Sequence, residues 1–129
     1  LPVLLIVLVI VIDIGRVISL KQELNNINEL ALAYGVDYLY EINVSNTDDM
    51  NIENDVNFIE DKLIEIIELN KSDIDFIDVR IENNKIYIEL IDTVDGIFSS
   101  IVDISMFDIN SYYVGYLDNN EKRIERVNG

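Results

Sequence analysis

The chain has 129 residues, 25 Asp and Glu against 9 Lys and Arg, a formal charge of −16, and neither Cys nor His. That length holds one domain of ordinary size plus a projecting element, and the negative surface repels nucleic acid, so no nucleic-acid partner is expected. Without Cys and His, the usual nucleophiles, the commonest base at neutral pH and the usual zinc ligands are missing, and the composition points away from an enzyme.

The chain opens LPVLLIVLVIVIDIGR, with no polar side chain from Leu1 to Ile12. Buried strands usually run about 4 to 8 residues, so this longer run is read as a helix, with Pro2 in its first turn, where a missing amide does no harm. Twelve residues span about 18 Å against a hydrocarbon core of about 30 Å, so the uncharged run alone is too short to cross. Asp13 and Arg16 would each cost about 2.5–3.5 kcal/mol at mid-bilayer and belong at its boundary. They lie three apart on one helical face with the acid first, the orientation that pairs best, and Gly15 between them is a place for a bend. Val3, Leu4, Leu5, Ile6, Val7, Leu8, Val9, Ile10, Val11 and Ile12 are therefore read as a membrane or filament-core segment. It is either the second half of a spanning helix that starts upstream or an apolar rod that packs on copies of itself. No small-residue cleavage site follows Ile12, so the segment is expected to be retained rather than removed as a signal peptide.

Val17, Leu20, Leu24, Ile27, Ala31, Tyr34 and Tyr38 continue the pattern by threes and fours. One helix from about Val3 to about Leu39 is expected, apolar all round at first and on one stripe later, with Gly35 as a second possible bend. Asn43 to Asn54 has no period and is read as a loop, with Asn54 capping a short, half-buried helix that ends near Asn70 and Lys71. The period then becomes two. Ile77, Val79 and Ile81 alternate with polar residues, Asn83 and Asn84 make a tight turn, and Ile86, Ile88 and Leu90 complete a hairpin. Val94 to Ser105 reads as a crossover or short helix. A third strand from about Met106 to Leu117, a turn at 118–120 and an edge strand over Lys122 to Val127 follow. The expected fold is α+β: a long N-terminal helix (residues 1–40) packed on a small antiparallel sheet with a second short helix, the acidic head being residues 41–129.

Asp73, Asp75 and Asp78, and the pair Asp92 and Asp95, suggest hard-cation ligands, but none has the spacing of a calcium loop, and neither metal nor cofactor is expected. Asn43 and Asn70 open N-x-S sequons and are possible glycosylation sites. Tyr112, Tyr113 and Tyr116 make either a contact patch or part of the core. No catalytic constellation stands out.

The apolar run containing Leu1 and Pro2, followed by Asp13, Gly15 and Arg16 and by a helix with Leu24, Asn25, Ala31, Ala33 and Gly35, resembles the N-terminal signature of TadE/TadG-like pilus proteins. The order of hairpin, crossover and strand is similar too. The resemblance implies a type IV pilin-like subunit, processed by a prepilin peptidase, held as a membrane-inserted precursor by its transmembrane helix and then assembled through it into a homo-oligomeric extracellular filament at the cell surface. Its partners would be copies of itself and the pilus assembly machinery. A minor pseudopilin and a monomeric membrane-anchored binding module are the alternatives. Two features depart from the family: position 5 is Leu rather than Glu, and the family's cleavage site would lie before Leu1. In a filament, Asp13 and Arg16 would pair within one helix or bridge neighbours.

Overall fold

The computed structural model describes residues 2–45, 52–94 and 107–127. In chain order these form α1 (Pro2–Ser45), α2 (Ile52–Asn70), β1 (Phe76–Glu82), β2 (Lys85–Val94), β3 (Phe107–Asp118) and β4 (Glu121–Arg126). This is the expected α+β arrangement of a long helix, a second helix and an antiparallel sheet.

At 44 residues α1 is about 66 Å long and runs unbroken through Gly15 and Gly35. It continues past Leu39 and through Asn43 because no Gly or Pro stands between Val36 and Ser45 to stop it. The predicted loop therefore begins later than Asn43. The second helix is also longer than expected, at 19 residues, and Asn54 lies inside its first turn rather than capping it. Its end at Asn70 is where the sequence placed it. The predicted crossover over Val94 to Ser105 lies, beyond Val94, outside the described residues.

The four strands form a simple meander in the order β1-β2-β3-β4, every pair antiparallel. Both tight turns have Asn at their two central positions, Asn83-Asn84 and Asn119-Asn120, all at φ between 52° and 65°. Paired positive φ values match the right-handed twist of the strands, and Asn tolerates that region better than most side chains.

The helices lie on one face of the sheet. Leu20, Leu24, Ile27, Ala31 and Leu32 of α1, Ile59, Leu63 and Ile67 of α2, and Val79, Ile86, Ile88, Leu90, Ile109 and Tyr113 of the strands make one continuous core. The buried face of α1 is wider than the predicted stripe. It meets two partners, α2 with one side and β2, β3 and β4 with the other. Asn28, Leu32 and Val36 are accordingly buried, while Tyr34 is exposed and Tyr38 half-buried, 6.1 Å from the Phe58 ring. The elements approach closely at two glycines. A Cβ on Gly115 would lie 2.7 Å from Val36 Cγ2, and one on Gly35 would lie 2.7 Å from Ile86 Cδ1. Gly35 thus serves helix–sheet packing.

Candidate functional site

The N-terminal half of α1 takes no part in the core, which begins at Leu20 with Val17 against its edge. Val3 is 69 % exposed and Leu8 is 55 % exposed; even Ile10, among the more covered, is 37 % exposed. Leu4, Leu5, Ile6, Val7, Val11 and Ile12 are exposed as well, and none of them joins the core of the head. When up to two charged residues are admitted, an 18-residue stretch of this helix is apolar enough to span, with only 6 % of it buried. By length and composition the helix can cross a bilayer, which the strictly uncharged run could not do alone.

The two boundary charges differ in setting. Asp13 is buried at 5 % exposure, whereas Arg16 is exposed and lines a groove of about 590 Å³ with Leu20, Lys71, Asp73, Asp75, Asp92 and Thr93. The groove forms where α1 passes the end of α2 and the last residues of β2. Lys71 Nζ is 3.0 Å from Asp73 Oδ1 and 3.5 Å from Asp92 Oδ2. Asp92 Oδ1 accepts the Thr93 amide at 2.9 Å, and the Thr93 hydroxyl donates to Asp75 Oδ2 at 2.8 Å. The hydrogen bond to Asp73, with the nearby carboxylates, holds the Lys71 ammonium above its ordinary pKa. The same bond and the charge of Lys71 hold Asp73 below the usual carboxylate value.

Three of the acids weighed as cation ligands, Asp73, Asp75 and Asp92, thus share one groove, with Lys71 among them. Asp78 is on the sheet's far face, 3.0 Å from Arg80, and Asp95 lies outside the described residues. Among the described residues no group of three or more Asp or Glu is placed to hold a metal ion.

Asn70 is exposed at the end of α2, its amide donating to the Ile66 carbonyl at 2.8 Å. Asn43 is helical rather than in a loop, and its side chain lies outside the described residues. Strand alternation splits the tyrosine set: Tyr113 is in the core, while Tyr112 and Tyr116 join Tyr87 on the opposite face. There Arg80 lies 5.6 Å from the Tyr87 ring centroid and donates to the Tyr112 hydroxyl at 2.6 Å.

Asn28 escaped the sequence reading. Its amide donates to the Ile88 carbonyl at 2.9 Å and to the Ser111 carbonyl and hydroxyl at 3.2 Å each, tying α1 to the two central strands. The signal in the sequence was its place midway between Leu24 and Leu32, one helical turn from each. Lys21 and Arg126 were missed as well. They lie far apart in sequence and meet only because β4 pairs back along β3.

The fold defines a class: an α+β head carried on a helix whose apolar first half projects beyond the core. Comparison with family models, curated proteins and solved structures finds no match to the chain.

Proposed function

We propose that the protein is a structural, pilin-like subunit of a type IV or Tad-like extracellular filament, held in the membrane by the N-terminal half of α1 before assembly. One observation carries the reading: of the ten consecutive apolar positions Val3 to Ile12, nine are exposed and Val9 is half-buried, and none belongs to the core formed among the described residues. Exposed apolar surface on that scale marks a membrane or protein interface. A bilayer shelters it in the precursor, and identical helices shelter it in a bundle. The resemblance of the Asp13, Gly15 and Arg16 motif to TadE/TadG-like pilus proteins supports the same reading, and a minor pseudopilin of the assembly machinery would use the helix in the same way. No catalytic role is proposed.

The groove beside Arg16 favours a second reading, a monomeric membrane-anchored module that binds a ligand next to the membrane surface. The two differ in what the rod touches. Ile10→Asp places a charge where neighbouring rods would meet. In the filament reading it abolishes surface filaments on the producing cells while the head stays folded. Filaments that persist at normal number with Ile10→Asp would contradict the reading.

A further inference from the structure

Nine cations face 25 carboxylates in this chain, and most are paired within the head. Lys62, Lys71, Arg80, Lys122 and Arg123 each make an ion pair with Asp or Glu. Lys85 lies 4.9 Å from the Tyr116 ring centroid. Lys21 and Arg126 are different. Among the described residues neither has a carboxylate partner, and they are close enough to repel one another. Two like charges are thus held together in a chain with a large excess of acid.

They converge on a notch of about 220 Å³ between α1 and β4, with Asn25, Asn110 and Tyr113 in its walls and no acidic side chain lining it among the described residues. Several water volumes fit such a space, so a carboxylate side chain does too. The Lys21 ammonium donates to the Asn110 carbonyl and has two further donors. The buried Asn25 amide oxygen has no hydrogen-bond partner. Exchange of that oxygen and nitrogen by an amide flip would turn a donor to the same wall.

The matching surface is on the opposite flank. β4 is one edge of the sheet, whereas α2 packs on α1 and on β1 at the other edge. Asp61, Glu65 and Glu68 of α2, spaced i, i+4 and i+7, form an exposed acidic face pointing away from the core. Among the described residues only Lys62 tempers it, 3.6 Å from Glu65. We infer that the Lys21–Arg126 notch receives a carboxylate from the α2 face of a second copy of this chain, an inference that rests on the filament reading for the presence of adjacent copies. The contact joins unlike surfaces, so it repeats from copy to copy instead of closing into a dimer, as a filament requires.

The test uses the full chain on the producing cells, where the absence of native Cys leaves engineered pairs unambiguous. Asn57→Cys, one turn before Asp61 on the exposed face of α2, with Asn110→Cys in one chain places a thiol on each side of the contact and leaves all three carboxylates in place. Oxidation is expected to give a ladder of trimers and longer species. Arg126→Glu in that background lowers the ladder about tenfold or more, because like charges then oppose across the contact, and Arg126→Lys preserves it. Lys21→Gln lowers it as well, which guards against a fold defect peculiar to Arg126→Glu. No crosslinking, a product that stops at dimer, or a ladder indifferent to Arg126→Glu would overturn the inference. Val7→Cys alone separates this failure from that of the filament reading. Val7 crosslinks without the ladder refute the notch and leave the filament, whereas the ladder without Val7 crosslinks supports the notch and refutes packing through the rod.

Discussion

Asn28 is fully buried and bonds strands on both sides of the sheet's centre, so its removal leaves acceptors of Ile88 and Ser111 without that donor inside the core. Asn28→Ala is expected to destabilise the head by about 1–3 kcal/mol in urea unfolding, against less than about 0.5 kcal/mol for the exposed Asn26→Ala. Lys71 supports a second local network, and Asp92 beside it is buried. Lys71→Gln should cost no more than about 1 kcal/mol near neutral pH, because solvent screens the pairing with the exposed Asp73. Its pH dependence has a definite sign. The raised Lys71 pKa contributes stability that is present below 10.5 and lost as pH climbs through the folded value. The lowered Asp73 pKa contributes stability that is present above 3.8 and lost as pH falls through the folded value. The gap between wild type and Lys71→Gln should therefore be flat from about pH 5 to about pH 9 and shrink at both extremes. A gap that widens in acid would show that the pairing is not its source. Neither network was legible in the sequence, since each joins residues brought together only by the sheet: Asn28 meets Ile88 and Ser111, and Lys71 meets Asp92.

Element identity was far more legible, because it rests on local periodicity. The two-residue alternation in Ile77, Val79 and Ile81 and the Asn pairs at both turns specify the hairpins directly. The ends of α1 and α2 were less so, since the polar residues over Asn43 to Asn54 offer no Gly or Pro to mark where a helix stops. Packing between elements adds a distinction the sequence leaves open, because Gly35 and Gly115 look alike until their neighbours are known. Ala at Gly115 would press on the stiff Val36, with Leu32 Cδ2 at 3.2 Å. Ala at Gly35 would meet the tips of Ile86 and Leu63, which can swing aside, and it gains about 1 kcal/mol of helix propensity. Thermal unfolding should accordingly find Gly115→Ala destabilised by about 1–3 kcal/mol and Gly35→Ala near neutral. The reverse order would mean that α1 sits on the sheet differently.

At the scale of the whole molecule, α1 does two jobs along one axis. From Leu20 onward it is the spine of the head, and over Val3–Ile12 it is an apolar rod left largely exposed by the head. The sequence already carried this division in the change from Val3–Ile12, apolar on every side, to the striped pattern after Val17. The charge distribution across the head, with the cation pair at β4 and the acidic face on α2, needed the fold to be seen. A bare rod in water is unstable, so the central claim is that copies of it shelter one another once they leave the membrane. A cysteine scan from Leu4 to Ile12 on the producing cells tests this most directly. The account predicts that single-Cys variants at Val7 and Ile10 crosslink to neighbouring copies under oxidation. A scan in which no position from Leu4 to Ile12 ever links to another copy would contradict it.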